Sequence, residues 1–336
     1  MKYFFSWCLL LLSLNVNAQK ETLLKWNQIP EEDLQMTVYT PDSSAAAVVL
    51  ADHGQIILEL GNRAVYYRYK RHRRIKVLNP AEFKKTDVII PYFTEKKSAE
   101  NVTYLQGQTF DPDGTKVVIP NKEILDNIVN DFTAEKRFTF PELKAGSVIE
   151  FRYEIVSPRI AELREWYFQE DIPIRSSRLK VEIPKPFKFI YLFQGNQQLN
   201  QIETEDRAID FRGSKVTKVK DNVYQMTNVP ALKTENFITS INDHRARLRF
   251  QLKEIQFPGG NTINYLSNWK EVSNRLLEKD NFGQQFTDEL LFSEWINPAT
   301  SKIISANISD RDKAAAFYQY ISKTIKWNKR LSLIHI

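Results

Sequence analysis

The alternation of apolar and polar residues between residues 36 and 255 constrains the fold more than any other feature of this sequence. In "SVIEFRYEIV", one side carries Val148, Glu150, Arg152 and Glu154, and the other carries Ile149, Phe151, Tyr153 and Ile155. Successive side chains of a β-strand point to opposite faces, so this period of two predicts a strand with one buried side. Similar short runs recur about every ten residues, which predicts an antiparallel β-sandwich.

Turn signals separate these runs. "AAAVVLADHGQIILEL" (residues 45–60) contains two apolar runs around Asp52-His53-Gly54, which predicts a hairpin turn. "TFDPDGTKVVI" repeats the arrangement, with a turn at residues 111–114. Only residues 121–129 indicate a helical turn in this part of the chain.

The apolar period changes toward 3.6 after residue 260, which predicts helices. One helix carries Trp269, Val272 and Leu276, a second covers residues 287–296, and a third follows a Ser309 N-cap. Trp269, Trp295 and Trp327 fall at helical positions, so we expect them to pack between helices. These elements are too few to close a domain, and we expect the sequence to be truncated inside one.

The first eighteen residues have the pattern of a cleavable signal peptide. Lys2 precedes an apolar run over residues 3–14, and Val16 and Ala18 supply the small residues before the cleavage site. That run is shorter than the about 20 residues of a spanning helix, and no later run reaches that length. We therefore expect export to the periplasm or cell envelope of a Gram-negative bacterium, with no transmembrane span left after cleavage.

Cleavage would also remove Cys8, which is the only cysteine, and would lower the net charge from +6 to +5 by removing Lys2. The mature chain would then have neither a disulfide nor a thiol nucleophile. The histidines lack the spacing of metal ligands, and no phosphate-binding or hydrolase motif is present, so we expect no cofactor. His53 beside Asp52 is interpreted as turn chemistry, because adjacent strand residues point to opposite faces.

Several motifs together resemble the DUF3857 family, whose members precede transglutaminase-like domains in exported bacterial proteins. They include "AVVLADHGQIIL", "RRIKVLNPAEFKKTDVIIPY", "FTFPELKAGSVIEFRYEIVSP", "WYFQEDIPI" and "NVPALKTENF". The tail "DRDKAAAFYQYISKTIKWN" resembles the helix that opens the transglutaminase-like domain. The signal-peptide pattern and the change of period, taken with this resemblance, predict a signal peptide at 1–18, a β-sandwich at 19–255, and a linker with the first helices of that domain at 256–336.

A transglutaminase-like domain of the papain type uses a cysteine, a histidine and an aspartate as its catalytic groups. The resemblance places that cysteine downstream of "KWN", where this sequence has none. We therefore expect the chain as given to be non-catalytic, whereas the activity of a longer parent protein stays open.

The stretch "YYRYKRHRRIKVL" (residues 66–78) contains six lysines and arginines among three tyrosines. Nucleic-acid binding would suit this composition, but export argues against it. The pattern favours a solvated strand face at a sheet edge. Contact with an anionic envelope surface, or with acidic residues of the neighbouring domain, is the alternative, through Arg68, Lys70 and Arg74.

Three aromatic residues in "WYFQ" (residues 166–169) cannot all face the core. We expect Trp166 and Phe168 to be buried and Tyr167 to lie at the rim, and Trp26 to dock on the sandwich. An outward Trp166 or Tyr167 could instead stack on a ligand.

Two functions follow from these features. One is an exported non-catalytic module that supports substrate or partner binding beside a transglutaminase-like domain. The other is a stand-alone glycan- or peptide-binding module of the envelope. Peptides, glycans and cell-wall-associated material are the expected partners, and the sequence does not specify an oligomeric state.

Overall fold

A computed structural model describes residues 24–60, 64–96, 98–203, 207–211, 214–238, 240–256, 260–266, 268–279, 283, 300–303 and 308–324. The chain divides into two units, Met1–Tyr265 and Leu266–Ile336. The predicted signal peptide, the helix expected at 287–296, Trp295 and Trp327 lie outside the described residues.

The largest sheet of the first unit, sheet A, has nine strands. Its spatial order is β12 (Asn200–Glu203), β14 (Ser214–Val229), β10 (Ile174–Pro184), β1 (Ala47–Leu60), β2 (Val65–Val77), β8 (Val148–Ser157), β4 (Asn101–Phe110) and β5 (Lys116–Val118), with β13 (Arg207–Phe211) paired to β14. Its pairs are antiparallel except β1 and β10, which run parallel.

Two smaller antiparallel sheets complete the β-rich unit. Sheet B contains β3 (Asp87–Phe93), β7 (Thr133–Thr139) and β6 (Leu125–Asn130), and sheet C contains β11 (Phe187–Gln194), β15 (Arg247–Gln256), β16 (Thr262–Asn264) and β9 (Trp166–Tyr167). Because β16 pairs with β15, the β-rich unit extends beyond residue 255.

One hydrophobic core joins the three sheets. Sheet A contributes Ile56, Tyr69, Ile75 and Ile149, sheet B contributes Ile90 and Phe138, and sheet C contributes Leu248, Phe250 and Trp166. The core therefore lies between one face of sheet A and the two smaller sheets, and the expected mainly β, antiparallel sandwich is confirmed.

The second face of sheet A, called here the outer face, is partly covered by the N-terminal strap, residues 24–46. The strap includes the helix α1 (Glu31–Gln35). Its Tyr39 forms a small buried cluster with Val48, Leu50 and Val148 of sheet A. Trp26 also packs on this face, with its ring centroid 5.6 Å from that of His72 and 4.4 Å from the Arg152 guanidinium carbon. The expected docking of Trp26 is confirmed.

The predicted turn at Asp52-His53-Gly54 is wrong. Residues 47–60 form one uninterrupted strand, in which Asp52 pairs with Arg73 of β2 and with Ser177 of β10. Buried ion pairs, rather than a turn, explain the polar residue between the two apolar runs. The hairpin at residues 108–118 is confirmed, with Gly114 at φ +84°. At 121–129 only a 3-10 turn, Asn121–Glu123, precedes strand β6, so the helical prediction is largely wrong.

The second unit is described in part. It contains α2 (Trp269–Leu277), capped by Asn268, and α3 (Asp310–Thr324), at whose start the Asp312 N–H donates to Ser309 Oγ at 3.2 Å. Both helices were expected, but Trp269 is 86% exposed, contrary to its predicted packing. No helix among the described residues is both long and apolar enough to span a membrane.

Candidate functional site

The basic strand β2 lies in the interior of sheet A, between β1 and β8. The predicted edge position is therefore wrong. Its side chains alternate between the core side and the outer face of the sheet, and most of the cationic side chains meet carboxylates of other strands. Carboxylate pairing, rather than water, compensates the charge of this stretch.

On the core side, Arg71 and Arg73 form a buried ion cluster with Asp52 and Glu170. Arg71 Nε donates to Asp52 Oδ1 at 2.8 Å, and Arg73 binds Glu170 through two hydrogen bonds of 2.7 and 2.8 Å. Asp52 is fully buried, and Arg73 Nη1 lies 3.5 Å from its Oδ2. Lys85 Nζ adds a 2.9 Å contact to Glu170. Lys85 also contacts Asp171, so the cluster joins three cations to three carboxylates.

On the outer face, the three candidate cations are also paired. Arg68 contacts Glu59 and Glu154 at 3.1 and 2.6 Å, and Lys70 Nζ lies 3.6 Å from Glu154. Arg74 is buried and donates to Glu150 at 2.6 Å. Lys70, at 46% side-chain exposure, is the most accessible of the three. Arg74 is corrected from a surface contact to a structural ion pair.

Of the two aromatic candidates, Trp166 is 1% exposed and cannot stack on an external ligand. Its indole N–H donates to Ser177 Oγ at 3.0 Å, and the Arg71 guanidinium lies 5.1 Å from its ring centroid. Tyr167 is half-buried, and its hydroxyl donates to Glu165 at 2.9 Å. The interpretation of Trp166 as core and Tyr167 as rim is confirmed.

A cavity of about 790 Å³, called here the strap cavity, lies between the N-terminal strap and the outer face of sheet A. Its roof residues include Leu24, Lys25, Gln28, Ile29, Pro30 and Asp33, and its floor includes Leu50, Ala51, His53, Arg74, Ser176 and Gln225. This volume is within the roughly 300–1,000 Å³ range of small-ligand pockets.

Three polar contacts hold the roof on the floor. Arg175 of β10 binds Asp33 of the strap through bonds of 2.5 and 2.9 Å. Glu150 accepts the Asn27 N–H at 3.0 Å, and Arg74 donates to the Lys25 carbonyl at 3.0 Å. Because Asp33 and Glu150 are themselves buried, these contacts fix the strap firmly.

The environment shifts the pKa of two titratable groups beside the cavity. Burial lowers the pKa of His53 from 6.5 to about 4, and Arg178 adds to this effect while Asp52 opposes it. Burial alone would raise the pKa of Glu150, but hydrogen bonds from His72 and Arg74 outweigh it and lower this pKa from 4.5 to about 2. His53 is therefore neutral and Glu150 ionised near pH 7.

We expect the free energy of unfolding to fall in two steps as the protein is acidified. Both groups bind protons more weakly in the folded chain, so each stabilises it above its ordinary pKa and loses that contribution as pH falls. The His53 step runs from pH 6.5 to about 4, and the Glu150 step from 4.5 to about 2. Each shift corresponds to roughly 3 kcal/mol of the free energy of unfolding.

Urea unfolding followed by tryptophan fluorescence over this pH range checks both steps. His53→Gln should remove the upper step and Glu150→Gln the lower one, whereas His244→Gln, at an exposed position, should leave both unchanged. An upper step that survives His53→Gln contradicts the assignment.

Sequence reasoning missed the strap cavity. It placed His53 in a turn and gave no role to Ser176 or Gln225, because these residues come together only through the pairing of β1, β10 and β14. Among the described residues, no cluster of three or more histidine, cysteine, aspartate or glutamate side chains could hold a metal ion.

Comparison with known proteins gives one family match. Residues 66–231 match the family described as "Domain of Unknown Function with solved-structure structure (DUF3857)". This range begins in β2 and extends past the end of β14. It contains three of the four strands that supply floor residues of the strap cavity, β2, β10 and β14, whereas β1 and the strap precede it. No curated protein matches the sequence.

One similar solved structure is that of a "putative protease" from Parabacteroides distasonis, with a TM-score of 0.56 and 12% identity. The similarity covers 83% of this chain and 50% of that one, so this chain spans about half the length of that protein. At this identity the similarity shows the fold alone.

Two structures from Legionella pneumophila are more distant. A "putative nutrient binding protein" gives a TM-score of 0.27 at 12% identity, covering 87% of this chain and 90% of that one. Aminopeptidase A in complex with aspartic acid gives 0.28 at 10% identity, covering 67% and 24%. Neither score supports an inference about this chain.

Proposed function

We propose that the DUF3857 domain at residues 66–231 is the core of an exported, non-catalytic β-sandwich module, which supports substrate or partner binding beside a transglutaminase-like domain in the cell envelope. The signal-peptide pattern and the sequence resemblance support export and the neighbouring domain. The description of the Parabacteroides structure as a protease is in keeping with a neighbour that acts on peptides.

The strap cavity is the observation that carries the binding role. Its floor presents amide, hydroxyl and imidazole groups, whereas the strongly charged side chains around it are held in ion pairs. An acid–base catalyst needs a titratable group that can exchange its proton with substrate near neutral pH. The Glu150 carboxylate is held by His72, Arg74, Gln108 and the Asn27 N–H, and the pKa of His53 is about 4. This arrangement favours binding over chemistry.

The alternative, a stand-alone peptide- or glycan-binding module, is favoured by the position of the cavity. All of its described lining residues lie between residues 24 and 228, within the β-rich unit. A ligand could therefore bind without a neighbouring domain.

Incubation of the mature chain, residues 19–336, with peptides and soluble cell-wall muropeptides tests the proposal. We expect mass spectrometry to recover every substrate unchanged, and equilibrium dialysis to show retention of at least one. Cleavage or transamidation products contradict the non-catalytic role. Fractionation of a Gram-negative host should place the chain, beginning at Gln19, in the periplasm, and an unprocessed cytoplasmic chain contradicts export.

A further inference from the structure

Within the described part of the chain, no side-chain hydrogen bond joins His53, Ser176 or Gln225 of the cavity floor to another residue. These side chains come from the adjacent strands β1, β10 and β14. Register places them close together, because His53 pairs with Arg178 and Arg178 pairs with Gln225. Arg178 lies between His53 and Gln225 in this register, and Ser176 precedes Arg178 by two residues, so the three side chains lie on the same face of adjacent strands.

The charge of the cavity wall is nearly balanced. Arg175 is neutralised by Asp33 and Arg74 by Glu150, and both of these acids are buried. The remaining charged residues of the described wall, Lys25 and Glu32, are exposed and of opposite sign. A charged ligand would gain little from such a wall, since exposed ion pairs contribute little. The cavity suits an uncharged ligand.

His53 is suited to the same kind of ligand. A neutral imidazole offers one N–H donor and one nitrogen acceptor, and the Gln225 amide offers both functions as well. Because burial keeps the pKa of His53 at about 4, the ring stays neutral throughout the physiological range. A peptide group, which has one N–H and one C=O, matches this alternation of donor and acceptor.

The apolar residues of the cavity wall favour a peptide ligand over a sugar ligand. Leu24, Ile29, Pro30 and Leu50 line the cavity, and none of its described lining residues is aromatic. Aliphatic residues suit small apolar side chains, whereas stacking on a sugar ring would call for an aromatic face such as that of tryptophan. Trp26 belongs to the strap, but its ring is packed against His72 and Arg152.

We propose that the strap cavity binds a short, uncharged peptide in an extended conformation, with its backbone amides on His53 and Gln225 and its apolar side chains beneath Leu24 and Ile29. The inference rests on the proposed binding function and deepens it by naming the ligand class. A peptide of a few residues fits the cavity volume.

Isothermal titration calorimetry of the mature chain at pH 7 tests the proposal. The probe is the uncharged tripeptide acetyl-leucyl-alanyl-leucine amide, and the neutral trisaccharide of N-acetylglucosamine is the competing ligand. We expect the tripeptide to bind with a Kd below about 1 mM and the trisaccharide to give no heat. Loss of one ligand hydrogen bond should weaken binding by about tenfold in His53→Leu and in Gln225→Leu.

Two further variants make the result specific. His53→Gln, which keeps a donor and an acceptor, should restore most of the affinity lost in His53→Leu. Gln251→Leu makes the same change as Gln225→Leu at an exposed position of β15 in sheet C and should bind like the parent chain. Circular dichroism verifies that each variant is folded.

Binding of the trisaccharide without the tripeptide overturns the peptide assignment but leaves the binding module in place. Absence of any tripeptide heat at about 1 mM, or equal affinity in all variants, overturns the site itself. Product formation from peptides would instead contradict the proposed function, so the two failures are distinguishable.

Discussion

Asp52→Ala is expected to lower the free energy of unfolding by about 4 kcal/mol, because it leaves the buried Arg73 and the partly buried Arg71 without their shared carboxylate. Asp52 is fully buried and contacts both Arg71 and Arg73. Removing one partner of a buried ion pair typically costs about 3–5 kcal/mol, since the other charge stays desolvated. Glu170 still binds Arg73, so the loss falls mainly on Arg71.

Chemical denaturation followed by circular dichroism measures this loss. Glu162→Ala is the matched control, because it also removes a carboxylate from an arginine, Arg159, but at a position that is 67% exposed. The control should change the free energy of unfolding by less than about 1 kcal/mol. Equal losses in the two variants would mean that the core cluster is hydrated and not buried as described.

Trp166→Ala is expected to lower the free energy of unfolding by about 5 kcal/mol, somewhat more than Asp52→Ala. Trp166 is among the largest fully buried side chains. Its removal leaves a cavity beside Gly54 and leaves Ser177 Oγ without the hydrogen bond from the indole N–H. Truncation of a buried tryptophan to alanine typically costs about 3–5 kcal/mol, and the lost hydrogen bond adds to this. The midpoint of urea denaturation reports the change.

A substitution at Gly54 tests directly whether the Trp166 ring packs against this glycine. A Cβ at Gly54 would lie 2.7 Å from Cη2 and 2.8 Å from Cε3 of the Trp166 ring, and closer still to Cζ3. Gly54→Ala should therefore destabilise the parent by about 3 kcal/mol but cost much less in the Trp166→Ala background. Trp269→Ala, at an 86% exposed position, controls for the loss of a tryptophan. Additive effects of the two substitutions would contradict the contact.

The composition of β2 indicated a charged strand face but not the place of this strand in the sheet. Tyr67, Tyr69 and Ile75 share the core side, and Lys70 faces outward. The carboxylates that neutralise the strand belong to β1, β8 and the segment after β9, as far as 97 residues away. A local pattern shows that a face is charged, whereas only the topology shows that opposite charges stand across from it.

The wrong turn prediction at residues 52–54 also arises from contacts that are distant in sequence. Aspartate, histidine and glycine in succession are typical of turns. In this chain Asp52 neutralises arginines, His53 faces the strap cavity, and Gly54 leaves room for Trp166. Each residue has a separate tertiary reason, and none of these reasons is visible within a window of ten residues.

The floor of the strap cavity was beyond sequence reasoning for a further reason. His53 and Ser176 meet through the parallel pairing of β1 with β10, and an antiparallel sandwich gave no ground to expect it. The helices α2 and α3 were predictable because their caps and apolar stripes are local in sequence.

The parallel pairing of β1 with β10 has a consequence for the kinetics of folding. β1 can pair with β2 as soon as residue 77 is available, but its other edge stays open until residues 174–184 arrive. Closing a loop of this length is entropically slow, and chains rich in such distant contacts fold in milliseconds to seconds rather than microseconds. During that interval the apolar edge of β1 is open to pairing with other chains. We therefore expect this protein to depend on holding chaperones for a high folding yield. The pairing of β1 is incomplete until β10, which is distant in sequence, has been synthesised.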